Sequence, residues 1–209
     1  MPAPTPSDEA GTSRRPYAKG VARRQEILDR AIEVFAAKGA EGTSLRAIAE
    51  RIGVSHAALL HYFGSREELL VEVLRHWEAL RGGAPREVVG AMVAAAERNV
   101  TVPGFVALYT SLLAGAVEPD KAYSREFFSA RFARLRGEIA RLIRLGQADG
   151  TIRTDVDAEE MAALVIAASD GLQTQWLLDP AVDIARSLLL LERILAVPQV
   201  AQKNFDEPA

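Results

Sequence analysis

Hydroxyl, imidazole, phenol and guanidinium side chains are concentrated in one short segment of this sequence. Thr43 and Ser44 stand where a helix is predicted to begin, and the free backbone N–H groups of a helix start attract phosphate. A short predicted helix follows, and its outward positions can reach base edges, thymine methyl groups and phosphates. The candidate contacts with double-stranded DNA are Thr43, Ser44, Arg46, Ser55, His56, Ala57, His61, Tyr62 and Arg66.

A basic stretch precedes that segment. Five cations lie between Thr12 and Gln25 without an acid among them, and residues 1–64 carry +2 while the rest of the chain carries −5. Such a run is usually a solvated helix face, but a basic arm before a small helical unit also contacts phosphates and the minor groove. The positions that we assign to DNA contact here are Arg14, Arg15, Lys19 and Arg23.

The amino-acid composition excludes several kinds of site and several classes of protein. The 209 residues include no cysteine, which excludes disulfides, thiol nucleophiles and cysteine-ligated metals. The chain is 49% hydrophobic and 25% charged, and no apolar run approaches the length of a bilayer span. The first twenty residues also lack the apolar core of a secretion signal, so we expect a cytoplasmic protein with no membrane partner.

Helical periodicity dominates the chain and predicts an all-α fold. The first helix is predicted from about Val21 to Lys38, and a capping box at Ser65 and Glu68 opens another that ends near residue 80. Breaks at glycine and proline then predict helices over 86–99, 104–117, 121–147, 157–178 and 181–197.

Two of the helices are short and are separated by a glycine turn. Leu45, Ile48 and Ile52 lie on one stripe before Gly53, and Ser55 caps the next helix, which Gly64 ends. Short helices joined in this way are typical of a helix-turn-helix, whose second helix enters the major groove of DNA.

The segment from Thr43 through Leu69 resembles the DNA-binding head of the TetR/AcrR family. The resemblance rests on Gly39, Thr43-Ser44-Leu45-Arg46-Ala47-Ile48-Ala49, Gly53-Val54-Ser55 and Tyr62-Phe63-Gly64-Ser65-Arg66-Glu67-Glu68-Leu69. It implies a homodimeric transcriptional regulator whose second domain binds a small molecule. Most members of the family are repressors. It also implies phosphate contacts from Thr43 and Ser44. Leu60 departs from the family pattern, because many members have a tyrosine there.

The second domain holds the candidates for effector binding and dimerisation. Apolar pockets lined by aromatic and a few polar groups are the usual ligand sites, although most buried aromatics belong to a core. The ligand candidates are Trp77, Phe105, Tyr109, Phe127, Phe128, Arg131, Gln173 and Trp176. The last two helices carry Leu164, Ala168, Leu172, Ile184, Leu188, Leu191 and Leu195, which a dimer interface or an intrachain core would bury.

No pattern nominates an enzyme, a cofactor or a metal. Glu72 and His76 are four positions apart, but no further ligand lies nearby, so an ordinary pair on the helix surface is predicted. The acidic run from Asp149 to Glu160 has the wrong glycine position for a calcium loop, so a turn followed by a helix cap is predicted.

Together these observations predict a ligand-responsive regulator that binds a palindromic operator as a homodimer. The expected domains are a disordered tail at 1–14, a DNA-binding domain at 15–65, a ligand-binding and dimerisation domain at 66–200, and a C-terminal tail at 201–209. The alternative is a helical interaction or small-molecule-binding module without affinity for DNA.

Overall fold

The computed structural model describes residues 14–38, 44–80, 87–102 and 104–197, with side chains in the first helix from residue 19 to 35. The described chain is helical, without strands, and an isolated bridge joins Ile152 to Ala196. The helices are α1 (Arg14–Lys38), α2 (Leu45–Ile52), α3 (His56–Phe63), α4 (Arg66–Ala79), α5 (Val88–Thr101), α6 (Phe105–Gly115), α7 (Ala122–Ala148), α8 (Ala158–Leu178) and α9 (Ile184–Leu195).

The all-α prediction is confirmed, and one boundary was wrong. The first helix begins at Arg14 and not near Val21. Pro16 lies in its first turn, where the missing N–H of proline breaks no helical hydrogen bond, so the proline-rich composition was a poor guide there. Of the expected tails at 1–14 and 201–209, residues 1–13 and 201–209 lie outside the described residues, and Arg14 is helical, so the first tail was predicted one residue too long.

Serine and glycine define the ends of the short helices. Ser44 and Ser55 each accept a hydrogen bond from a backbone N–H three residues on, at 3.2 and 3.1 Å. Gly53 has φ 75° and ends α2, a backbone conformation that a residue with a Cβ rarely adopts. Ser65 accepts from the Glu68 N–H at 3.1 Å, which confirms the predicted cap of α4.

The chain forms two compact units. The first comprises residues 1–82 with 103–112, and the second comprises 83–102 with 113–209. In the first unit, α1 packs against α2 and α4, and α3 packs against both α2 and α4. Its core is formed by Ile27, Leu28, Ala31, Phe35, Leu45, Ile48, Ala49, Ile52, Leu59, Phe63, Leu69, Leu70, Val73 and Leu74.

In the second unit, α8 packs along α7, and α5 and α9 complete the bundle. Its core includes Ile139, Ile143, Ala162, Val165 and Leu188. Among the described helices, none combines the length and the hydropathy that crossing a bilayer requires.

Candidate nucleic-acid interface

The burial pattern of α3 determines which of its side chains face outward. Leu59 and Phe63 are buried in the core of the first unit, at 0% and 3% exposure. With 3.6 residues per turn, the positions between them lie on the other side of the helix. Two of the residues predicted to contact DNA, Ala57 and His61, are exposed on that side, and His56 and the cap Ser55 are exposed at the start of the helix.

Tyr62 is half-buried at the edge of the outward face. Its ring lies 5.5 Å from the His61 ring in an edge-on arrangement and 6.4 Å from the Phe63 ring, measured between centroids. These contacts restrict rotation of the Tyr62 ring. The side chain therefore loses less conformational entropy when its phenol contacts DNA.

The N-termini of α2 and α4 lie on either side of α3 in the sequence. We call α3 the reading helix, because it is the helix predicted to enter the major groove. Ser44 caps α2, and both Ser44 and Arg46 are exposed. Arg66 is exposed at the first position of α4. Thr43 lies outside the described residues. The exposed members of this group combine helix N-terminal N–H groups with positive charge, which is the chemistry that phosphate contacts need.

The basic residues before the short helices have different environments in the structure. Lys19 is exposed, whereas Arg23 is half-buried and donates a 2.5 Å hydrogen bond to Glu26. That hydrogen bond lowers the pKa of the Glu26 carboxyl below its ordinary value. Because Glu26 offsets the charge of Arg23, Lys19 is the stronger candidate for phosphate attraction. The side chains of Arg14 and Arg15 lie outside the described residues.

Arg24 has a different role from its neighbours in that stretch. Its Nη2 lies 2.5 Å from Oε2 of Glu72, and its guanidinium carbon lies 4.9 Å from the centroid of the Phe63 ring. Glu72 is buried and also contacts Arg75 at 2.6 Å. Arg24 therefore connects α1 with both α3 and α4, a role that the sequence reading missed.

His76 of α4 reaches α1 as well. Its Nε2 lies 2.6 Å from Oδ1 of Asp29, and Gln25 Nε2 lies 2.5 Å from its Nδ1. The sequence predicted Glu72 and His76 as an ordinary surface pair. That prediction was wrong, because both side chains are largely enclosed and both contact α1.

The ligand candidates fall into two groups. In the first unit, the Trp77 and Phe105 rings lie 5.1 Å apart, and Phe105 and Tyr109 are buried. In the second unit, the Phe127 and Phe128 rings meet edge-on at 5.0 Å. Each unit thus places aromatic rings of the predicted set in contact with one another.

The second unit also holds a buried amide pair. Asn99 Nδ2 donates to Gln173 Oε1 at 2.8 Å, and Gln173 Nε2 donates to the Ser169 carbonyl at 3.2 Å. Arg131 lies against the Phe132 ring, and Trp176 packs on the core. Asn99 was missed in the sequence, because a lone asparagine in a helix gives no sign of a partner 74 positions away.

The residues predicted for dimerisation have different environments. Three of them, Ile184, Leu188 and Leu195, belong to the core of the second unit. The protomer itself buries these three residues, which was the alternative to a dimer interface. Leu172 and Leu191 pack partly against that core, Ala168 is half-buried, and Leu164 is 60% exposed. The exposed apolar side chains of α9 are instead Leu189, Leu190 and Ile194.

Acidic and imidazole side chains form no group of three suited to a metal ion within the described residues. In the loop before α8, Arg153 pairs with Asp155 at 2.5 Å, and the hydrogen bond from Arg153 lowers the pKa of that carboxyl. Asp157 caps α8 through the Glu160 N–H at 2.9 Å. This segment is the turn and cap that the sequence predicted.

Comparisons with known proteins decide the family. A family model described as bacterial regulatory proteins of the tetR family matches residues 27–73. A second model, described as the C-terminal domain of BetI-type transcriptional repressors, matches residues 85–197, more than half of the chain. The chain belongs to the TetR family of transcriptional regulators.

Individual TetR-family relatives extend over much of the chain. The regulator BetI of Rhizobium meliloti is 31% identical over 179 residues, covering 81% of this chain and 86% of the relative. The repressor KstR2 of Rhodococcus jostii is 32% identical over 147 residues, covering 66% of this chain and 71% of the relative. The predicted function of a ligand-responsive transcriptional repressor is confirmed at this level.

Solved structures show the same TetR-family fold. A TetR-family regulator from Rhodococcus sp. has a TM-score of 0.68 at 24% identity, covering 83% of this chain and 98% of that one. A regulator from Saccharomonospora viridis, solved in complex with choline, has a TM-score of 0.63 at 23% identity, covering 85% and 100%.

Proposed function

We propose that this TetR-family repressor binds a palindromic operator as a homodimer and leaves it when a small molecule binds the second domain. The observation that carries the DNA part is the outward face of α3. Ala57 and His61 are exposed on that face and His56 is exposed at the helix start, while Leu59 and Phe63 hold the helix on its core. A short helix that is exposed on one side and packed on the other can enter the major groove of DNA.

A second copy of the chain is the proposed partner of the exposed apolar surface on α8 and α9. Leu164, Leu189, Leu190 and Ile194 are 45–60% exposed, and Leu189 and Leu190 line a surface groove with Arg186 and Arg193. An isologous interface buries the same patch of both copies, which removes this apolar surface from water.

The effector is proposed to bind in the second unit, beside the Phe127 and Phe128 rings. Apolar and aromatic walls with few polar groups favour a small, largely apolar ligand, and aromatic faces also accept quaternary ammonium groups. Because the Saccharomonospora viridis regulator was solved with choline, choline belongs in the first ligand panel beside hydrophobic metabolites and drugs. A thermal-shift screen identifies binders through the rise in Tm.

Release from DNA follows from two states of the dimer. A dimer reads two half-sites at a fixed separation, so a change in the spacing of its reading helices abolishes specific binding. The effector drives this change only by its preference for one state over the other. The proposed moving element is α4, which carries Glu72 and His76 and contacts α1 through both.

Footprinting on DNA upstream of its own gene tests the proposal. The variants Tyr62→Ala and Arg66→Ala are expected to lose protection while they remain folded and dimeric. Arg141→Ala removes an exposed cation from α7 and serves as the matched control. If both α3-region variants match the wild type at fixed moderate salt, the assigned contacts are wrong.

A further inference from the structure

Leu60 is exposed, unlike the other leucines of α2, α3 and α4. It is 40% exposed, whereas its neighbour Leu59 is completely buried. Leu69, Leu70 and Leu74 in the following helix are likewise buried. About two-fifths of the Leu60 surface therefore remains available for contact with another molecule.

Ala57 and Leu60 form an apolar strip on the reading helix. They are three positions apart, which places them about 60° from one another around the helix axis. Both are exposed, and so are His56 and His61 next to them. The side chains of the strip are purely aliphatic, and imidazoles that can form hydrogen bonds border it.

The chemistry of this strip restricts what it can read. A leucine offers neither a donor nor an acceptor, so it cannot contact phosphate oxygens or the hydrogen-bonding edges of bases. The apolar feature of the major groove is the C5-methyl group of thymine, against which aliphatic side chains pack. Cytosine and the purines offer no equivalent group in unmodified DNA.

We infer that Leu60, with Ala57 beside it, is a specificity-determining residue that packs on a thymine methyl group in each operator half-site. The inference rests on the proposed function, because it assumes that α3 enters the major groove. It adds a requirement that DNA binding alone does not make: a T·A pair whose methyl group contributes to affinity at the position over Leu60.

Replacing thymine by deoxyuridine tests this directly, since it removes the methyl group and preserves base pairing. Each thymine of a footprinted half-site is replaced in turn, and Kd is measured for the wild type and for Leu60→Ala. Removing one buried methyl is expected to weaken wild-type binding about fourfold at one position per half-site. The Leu60→Ala variant is expected to bind both duplexes at that position with equal affinity.

Leu178→Ala, which shortens an 85% exposed leucine at the end of α8, is the control and is expected to discriminate as the wild type does. Circular dichroism checks that Leu60→Ala remains helical, as expected because alanine favours helix. Specific binding with no methyl-dependent position, or discrimination that Leu60→Ala retains, would overturn the inference alone. A wild type that prefers no operator over random duplex would overturn the proposed function as well.

Discussion

Arg24 and Glu72 join the first helix to the fourth across 48 positions of sequence, with 2.5 Å between Nη2 and Oε2. Glu72 is the one acidic side chain that is buried within the described parts of the chain. The same guanidinium lies over the Phe63 ring at the end of the reading helix. A single side chain of α1 therefore contacts residues of both α4 and α3.

Glu72→Gln is expected to lower the free energy of unfolding by about 1–3 kcal/mol, since it leaves Arg24 beside a neutral partner. The partial exposure of Arg24 keeps the loss below that of a fully buried pair. Urea denaturation measures the difference. Glu126→Gln, at an exposed position of α7, is the control and should fall within about 0.5 kcal/mol of the wild type. Equal midpoints for Glu72→Gln and the wild type would contradict a structural role for the pair.

Gly146 of α7 is expected to resist substitution because of close packing. A Cβ at this position would lie 2.7 Å from two Ile152 side-chain atoms, and the Gly146 carbonyl accepts hydrogen bonds from the Thr151 and Ile152 N–H groups. Gly146→Ala should destabilise the chain by about 1–3 kcal/mol. Gly137→Ala in the same helix meets no atom within 4 Å and should be neutral or stabilising. Thermal unfolding measures the Tm of both variants. An identical change in Tm for Gly146→Ala and Gly137→Ala would contradict the close packing at Gly146.

The exposed surface of α9 predicts an effect on assembly. Leu190→Asp places a charge on a 53% exposed position, so the protomer should fold while the dimer dissociates. Sedimentation velocity should show a monomer, and operator affinity should fall at least tenfold because two heads no longer bind together. Val117→Asp, at an 81% exposed position, should remain dimeric. A dimeric Leu190→Asp protein would place the interface elsewhere.

The ring contact between Trp77 and Phe105 offers a spectroscopic reporter of effector binding. The chain has two tryptophans, so Trp176→Phe leaves Trp77 as the emitting residue. An effector that moves α4 should shift the emission of Trp77 over the concentration range in which it releases DNA. DNA release with unchanged Trp77 emission would mean that α4 is not the moving element.

Local signals explain what could be predicted from the sequence. Ser55, Ser65 and Gly53 define helix ends within a few residues of themselves, so α2, α3 and α4 were predicted closely. The outward face of α3 followed from the same information, because helix geometry alone separates Leu59 and Phe63 from His61.

Contacts between distant segments could not be predicted in that way. The positive charge of Arg24 looked like part of a solvated run, and only the fold shows that it faces Glu72. The leucines of α9 presented the same difficulty, because periodicity marks an apolar face without showing whether the protomer or a partner covers it. Leu188 is buried within the chain, and Leu190 is not.

Selection of bound sequences from a random pool of duplexes shows whether the protein binds DNA with sequence specificity. We expect a recovered palindrome that binds at least about a thousandfold more tightly than random duplex at physiological salt, with the preference lost in Tyr62→Ala. Recovery of no common sequence, with equal affinity for all duplexes once salt screens the charges, would contradict sequence-specific binding.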